Sequence, residues 1–150
     1  MKGEKMKNIS FIVDGNCLCT DIWLLVDEIP IFFVCRDDSE RYYVVLCVDM
    51  DVPRYNIVET PAMLLRDMLC GNIPMREIFT SQKEYWEVTA NTDKIDEGGV
   101  VRKQMKDMPA DELPDEGATY DLFTERIREY AGKIQGADGV STDESTVVTS

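Results

Sequence analysis

Residues 31–48, IFFVCRDDSERYYVVLCV, decide the fold. Two apolar runs rich in Val, Phe and Tyr flank a short polar break at residues 37–40, DDSE. Branched and aromatic side chains fit a pleated, half-buried surface, and Asp and Ser are typical turn residues. The stretch therefore predicts a β-hairpin.

The register of this hairpin follows from the length of its loop. If Arg36 faces Arg41 across four loop residues, successive side chains alternate between two faces. The predicted pairs are Cys35–Tyr42, Val34–Tyr43, Phe33–Val44 and Phe32–Val45. Both faces are then apolar, which predicts a central hairpin covered on both sides. In this register Cys35 and Cys47 lie on opposite faces and cannot form a disulfide.

Further strands are predicted on either side of the hairpin. Residues 9–13 form a β-type run closed by the turn sequence Asp14-Gly15-Asn16. Residues 17–29 fit either a buried strand or a turn of helix, and we favour a strand. Residues 54–59 alternate polar and apolar side chains as a less buried strand does, and residues 84–89 predict another strand.

The clearest helix signal is at residues 60–71, TPAMLLRDMLCG. Thr60 is a suitable N-cap, Pro61 suits the first helical position, and Gly71 suits a left-handed residue after the end. The predicted apolar stripe consists of Leu64, Leu65, Met68 and Leu69. Residues 74–79 predict a second short helical turn that carries Ile78 and Phe79 to the same core.

A second amphipathic helix is predicted over residues 120–135. Its apolar side chains recur at helical spacing: Tyr120, Phe123, Ile127, Tyr130, Ala131 and Ile134. The predicted fold class is α+β, with an antiparallel meander around the 31–48 hairpin, packed by helix 61–70 and this C-terminal helix. One domain spans residues 1–135, with a frayed start at 1–8. Residues 91–118 form a polar, acidic connection, in which residues 91–108 fit either a weak hairpin or a long loop. Residues 136–150 form a disordered acidic tail.

Composition narrows the functional classes. The 150 residues carry a net charge of −13, which disfavours nucleic acid and anionic lipid and favours a basic protein partner. The chain has no histidine, which excludes Ser-His and Cys-His nucleophile pairs and histidine-containing zinc sites. Five cysteines within mostly apolar runs, no secretory signal and no membrane-length apolar run predict reduced thiols and a cytoplasmic location. No phosphate-cradling glycine loop is present, so no cofactor is predicted.

Four segments carry a resemblance to a known family. They are FVCRDDSERYYVVLCVDMD (33–51), Tyr55–Glu59, TPAMLLRDMLCGNIPMREIF (60–79) and EYWEV (84–88). Together they resemble a family of small bacterial domains of unknown function. That family has a G-x-I-x-[LM]-R-x-[AI]-F segment, matched here by Gly71, Ile73, Met75, Arg76, Ile78 and Phe79, and an LP-acidic-x-G piece, matched by Leu113, Pro114, Glu116 and Gly117. The resemblance implies a compact bacterial α+β domain, and it implies no activity, cofactor or partner.

Two clusters of charged residues are candidate sites. Asp49 and Asp51 place two carboxylates in one turn and could bind a divalent cation, although solvated turn residues are the commoner cause of such a pattern. The hairpin tip carries Arg36, Asp37, Asp38 and Arg41, which predict either a polar recognition tip or an exposed end with a surface ion pair.

Two further features complete the candidates. The pair Cys17-Leu18-Cys19 departs from the C-x-x-C spacing of zinc and redox sites, which favours structural cysteines. On the C-terminal helix, Tyr120, Phe123, Ile127 and Tyr130 form an apolar stripe. This stripe either docks on the protein's own body or accepts a partner.

The sequence favours a small, acidic, non-enzymatic binding protein. An immunity-like or inhibitor-like role towards a basic partner fits its size and charge, because opposite charge accelerates encounter. One alternative is a metal-dependent enzyme using Asp49, Asp51 and a third acid from residues 91–117. Another is a homo-oligomeric structural subunit, assembled by strand addition or by pairing of C-terminal helices.

Overall fold

The computed structural model describes residues 10–51, 53–89, 99–121 and 124–138, with side chains up to residue 134. The strands are β1 (Ser10–Val13), β2 (Asn16–Asp27), β3 (Ile29–Arg36), β4 (Tyr42–Asp49), β5 (Arg54–Thr60), β6 (Glu84–Thr89) and β7 (Gly99–Gln104). The α-helices are α1 (Ala62–Leu69), α2 (Met75–Thr80) and α3 (Glu125–Asp138). No helix in these described ranges has the length and apolar character that crossing a membrane requires.

All seven strands form one antiparallel sheet in chain order, from β1 to β7. The sheet curls on itself, so that the ring of Phe11 in β1 lies 5.6 Å from the ring of Tyr55 in β5. The predicted α+β meander packed by helices is therefore wrong: over the described residues the fold is a seven-stranded antiparallel near-barrel with three α-helices.

Two features explain why the sheet is larger and more curved than predicted. β2 is twelve residues long, and its register with β3 shifts at three places between Thr20 and Val26. Such irregularities bend a strand and increase its twist. In addition, β7 lies within the segment predicted as a polar connection and adds a strand beside β6. The segment that contains β7 was predicted to be either a weak hairpin or a long loop. Residues 91–98 of that segment lie outside the described residues.

The two faces of the sheet bury two separate cores. We call the residues on the concave side the inner core: Phe11, Val13, Leu18, Phe33, Cys35, Tyr43, Val45, Cys47, Tyr55, Ile57 and Val88. The other face carries the helix-covered core, in which Phe32, Val34, Val44 and Val58 of the sheet meet Leu65, Met68, Leu69, Ile78, Phe79, Ile127, Ala131 and Ile134 of the helices. The central hairpin is thus covered on both sides, as predicted.

The predicted register of the hairpin is wrong by one residue. Arg36 pairs with Tyr42, and the loop has five residues instead of four. The observed pairs continue as Cys35–Tyr43, Val34–Val44, Phe33–Val45 and Phe32–Leu46. The physical cause is Asp37, which folds back into the loop and binds its backbone, so that Arg41 belongs to the turn.

This shift also corrects the placement of two cysteines. Cys35 and Cys47 share the inner core instead of lying on opposite faces. They are nevertheless far apart, because Cys35 pairs with Tyr43, four residues before Cys47 on β4. At a rise of about 3.3 Å per residue the separation along the strand is about 13 Å, well beyond disulfide range. Both cysteines are unbridged.

Helix α1 confirms most of its predicted signals. Leu65, Met68 and Leu69 are fully buried. Gly71 has a φ of +80°. The Gly71 amide donates to the Met68 carbonyl at 3.0 Å, and the Asn72 amide donates to the Asp67 carbonyl at 2.9 Å. These two bonds form a Schellman motif at the end of the helix. The predicted N-cap is wrong, because the Thr60 hydroxyl donates to the Val58 carbonyl and Pro61 occupies the cap position.

The C-terminal helix begins later than predicted. Its first residue is Glu125, not Tyr120, and Thr124 precedes it. The Thr124 hydroxyl accepts a hydrogen bond from the Ile127 amide at 3.3 Å, and its carbonyl accepts one from the Arg128 amide at 2.9 Å. Threonine in this role is a common N-cap, which accounts for the start.

Candidate functional site

A cleft of about 390 Å³ opens between the helix-covered face of strands β2 to β4 and the segment 111–118. Its apolar lining comprises Leu25, Phe32, Leu46, Met75, Leu113 and Pro114. Three carboxylates, those of Asp111, Glu112 and Asp115, stand on the same segment. We call this site the acidic cleft. Its volume lies within the range of pockets that bind ligands.

Three neighbouring strands form the floor of the acidic cleft. Phe32 on β3 pairs with Leu25 on β2 and with Leu46 on β4. Adjacent strands lie about 4.8 Å apart, so these three side chains make a continuous apolar row. Phe32 is only 3% exposed, whereas Leu25 is 44% exposed. Leu25 is therefore apolar surface at the rim of the cleft, open to a partner.

The opposite wall is fixed to the body by hydrogen bonds. The Arg76 Nε donates to the Pro114 carbonyl at 2.9 Å, and the Met75 amide donates to the Ala118 carbonyl at 2.9 Å. Both bonds join the segment 111–118 to helix α2. The wall is thereby held in place at two points on either side of Asp115.

A polar network anchors the same wall from the sheet. Glu112 accepts a hydrogen bond from Asn56 Nδ2 at 3.0 Å and pairs with Arg54 at 3.0 Å. Arg54 also pairs with Glu87 at 2.7 Å, and Lys103 pairs with Glu87 at 2.9 Å. Burial opposes ionisation of Glu87, but hydrogen bonds from Lys103 and Arg54 hold its pKa below its ordinary value. Glu112 is therefore already engaged in a structural role.

The other two carboxylates of the wall can interact with a ligand. Asp111 and Asp115 are exposed. Within the ranges the structure describes, neither side chain has a hydrogen-bond or ion-pair partner. They therefore present negative charge beside an apolar row, which suits a ligand with an apolar group flanked by positive charge.

Asn56 adds an acceptor behind the floor. It is fully buried and lies opposite Leu46 in the β4–β5 ladder. Its Oδ1 has no hydrogen-bond partner among the described residues. A buried carbonyl oxygen without a donor is unfavourable. Asn56 Oδ1 is thus one acceptor next to the floor that the described residues leave without a donor.

At the predicted recognition tip, Asp37 stabilises the loop of the hairpin. The Asp37 carboxylate is buried and accepts hydrogen bonds from the Ser39 amide, from the amide and Nε of Arg41, and from the Tyr43 hydroxyl, all at 2.8–2.9 Å. Burial opposes its ionisation, but these bonds hold the pKa of Asp37 below its ordinary value. Asp38 next to it is exposed.

The arginines of the tip border a second cleft of about 340 Å³ at the start of α1. Arg36 pairs with Glu40 at 3.1 Å, and its guanidinium lies 5.0 Å from the centre of the Tyr42 ring. Arg41 pairs with Asp37 at 2.8 Å. Because both arginines already have carboxylate partners, this cleft offers little net charge to a ligand.

Asp49 and Asp51 lie in one turn, as predicted. The Asp51 amide donates to the Asp49 Oδ1 at 3.0 Å, an arrangement typical of Asp in turns. Across the described parts of the chain, no group of three or more Cys, Asp or Glu side chains is placed to hold a metal ion. The structure thus brings no third acid to these two from the described part of residues 91–117.

The aromatic residues predicted as a partner surface contact the protein's own body. The buried Tyr120 hydroxyl donates to the Leu24 carbonyl at 2.9 Å, and the Tyr130 hydroxyl donates to the Asp21 carboxylate. Ile127 is 2% exposed. Phe123 lies outside the described residues. The stripe of α3 therefore docks on the body, one of the two predicted alternatives.

Sequence reasoning did not find the acidic cleft. Its floor comes from three strands and its wall from residues some 65 to 90 positions later, so no local pattern joins them. One signal was present: Leu113-Pro114 stands between Asp111-Glu112 and Asp115-Glu116. A pair of apolar residues within an acidic segment indicates a wall that presents both apolar and acidic side chains.

No family model, no curated protein and no solved structure matches this chain. The resemblance to a bacterial domain family therefore stays a prediction.

Proposed function

We propose that this protein is an acidic binding protein that holds a basic segment of a protein partner in the acidic cleft. The role is that of an inhibitor or immunity protein: occupancy of a partner's basic surface, with no chemical step. The observation that carries the proposal is the juxtaposition of the apolar row Leu25–Phe32–Leu46 with the carboxylates of Asp111 and Asp115, which have no partner among the described residues.

The two parts of the cleft have different energetic roles. Burying one large apolar side chain against the row contributes about 1.5–3 kcal/mol. Each exposed pair between a lysine or arginine and Asp111 or Asp115 contributes less than about 1 kcal/mol. The apolar contact therefore supplies most of the affinity. The carboxylates and the net charge of −13 accelerate encounter and select the sign of the partner.

Nuclear magnetic resonance with short peptides tests this proposal. The probe is a peptide with one leucine or phenylalanine flanked by lysines, and its match carries glutamates in place of the lysines. We expect the lysine peptide to shift the amide signals of Leu25, Leu46, Leu113 and Asp115, and the glutamate peptide to leave them unchanged. Raised salt should weaken the shifts.

Two variants and two controls make the test specific. Leu25→Ser removes the exposed part of the row, and Ile12→Ser is its control, because Ile12 is also exposed at 53% but lies on β1 away from the cleft. The pair Asp111→Asn and Asp115→Asn removes the charge, with Asp38→Asn as the control. Equal binding of both peptides, or shifts that persist in both cleft variants, would refute the proposal.

A further inference from the structure

Two cysteines meet on the outer side of the first hairpin. Cys17 and Cys19 stand two positions apart on β2, with Leu18 between them in the inner core. Side chains alternate along a strand, so both cysteines point away from the inner core. Cys17 is half-buried, Cys19 is exposed, and neither is in a disulfide.

The two thiols point towards each other. Their Sγ atoms are 3.8 Å apart. The Cα atoms of two residues that stand two positions apart on a strand are separated by about 6.6 Å. The short distance between the sulfurs therefore requires both side chains to lean towards each other. The C-x-C spacing, which departs from the pattern of zinc-binding loops, thus yields a close pair because it falls on a strand.

This distance suits a shared metal ion better than a disulfide. Cα atoms about 6.6 Å apart lie near the upper end of the range that a disulfide permits, and a disulfide would also require the sulfurs to close from 3.8 Å to about 2.05 Å. Tetrahedral zinc with bonds of about 2.3 Å to each sulfur holds two thiolates about 3.8 Å apart. The observed 3.8 Å therefore requires no movement of the strand.

We propose that Cys17 and Cys19 form a dithiolate site for a thiophilic divalent cation of the zinc and cadmium type. Each thiol loses its proton and donates a sulfur lone pair to the cation, and no electron is transferred. The described residues supply no third ligating side chain, so water completes the coordination. The site lies on β2 and is independent of the acidic cleft.

Cadmium titration of the reduced full-length protein under argon tests the site. Bonding of thiolate to cadmium produces a charge-transfer absorption in the ultraviolet. We expect this band to saturate at one cation per chain and to be lost in Cys17→Ser and in Cys19→Ser. Cys70→Ser is the matched control, because Cys70 is exposed but stands alone after α1, and it should retain the band.

Alkylation with iodoacetamide, read by peptide mass spectrometry, gives a second readout in the unmodified chain. Zinc should slow the labelling of Cys17 and Cys19 several-fold and leave that of Cys70 unchanged. The proposal is overturned if zinc protects neither thiol, or if the cadmium band persists in both serine variants while circular dichroism shows them folded.

Discussion

Asp14, in the turn between β1 and β2, accepts a hydrogen bond at 2.9 Å from the indole nitrogen of Trp86, 72 residues later in the chain. The same carboxylate accepts a bond from Arg102 on β7. These bonds lower the pKa of Asp14, that from Arg102 more than that from Trp86. Asp14 thus joins the two ends of the curled sheet.

Asp14→Asn tests the contribution of this link. Asparagine tolerates the φ of +51° at this position, so the substitution removes the charge without backbone strain. We expect the free energy of unfolding to fall by up to about 1 kcal/mol, because the pair is exposed. Urea denaturation followed by tryptophan fluorescence measures the effect, and it should shrink in high salt. The exposed Asp27→Asn is the control, and an equal loss there would contradict the assignment.

Asp37→Asn should destabilise the hairpin more strongly. The amide that replaces one oxygen is a donor, and it would face groups that already donate to Asp37. We expect a loss of about 2 kcal/mol, since hydrogen bonds to a buried charge are at stake. Denaturant unfolding gives the value. Asp38→Asn, one residue away on the exposed side, should change stability by less than about 0.5 kcal/mol. Similar values for both variants would show that Asp37 does not organise the turn.

Stability should fall as the solution is acidified below about pH 4.5. The folded-state pKa values of Asp14, Asp37 and Glu87 all lie below their ordinary values of 3.8, 3.8 and 4.5. In that range the unfolded chain binds more protons than the folded one, so acid favours unfolding. The stabilisation that the three carboxylates contribute is complete at pH values above their ordinary pKa values. Urea unfolding at a series of pH values tests this. Asp37→Asn should show a shallower decline than the wild type, and an identical slope would contradict the prediction.

Arg54→Met tests the network behind the acidic cleft. Methionine keeps much of the length of the side chain but leaves Glu112 without a cationic partner and Glu87 with Lys103 alone. We expect a loss of about 2–3 kcal/mol, less than for a fully buried pair because both glutamates retain some exposure. Thermal and denaturant unfolding report it. Lys106→Met, at an exposed position, is the control, and a small effect at Arg54 would mean that water replaces the pairing.

Ile134→Ala tests whether the docking of α3 stabilises the domain. Ile134 is fully buried in the helix-covered core. The substitution should cost about 2–4 kcal/mol, through lost burial and a residual cavity. Glu129→Ala, on the exposed side of the same helix, should be nearly neutral. If both variants unfold like the wild type, α3 does not contribute to the stability of the body.

The sequence predicted elements well and their arrangement less well. The central hairpin, helix α1 and its stop at Gly71 all rest on local signals that the structure confirms. The register failed because one side chain, Asp37, turned into the loop, which no apolar pattern records. The curl of the sheet depends on β2 bulges and on contacts across the barrel. The acidic cleft combines strands with a distant segment, so its position is a property of the tertiary fold alone.

The order of the strands has a consequence for how the chain folds. Every strand pairs with its neighbour in sequence, so most of the sheet forms through contacts of short separation. Folding rates rise as contacts become more local, because less loop entropy is lost before each contact forms. The sheet can therefore grow outward from the β3–β4 hairpin, one strand at a time in both directions. Because Arg102 lies on the end strand β7, its bond to Asp14 in the β1–β2 turn can form only when both growing ends are in place, which makes it a reporter of the last step of folding.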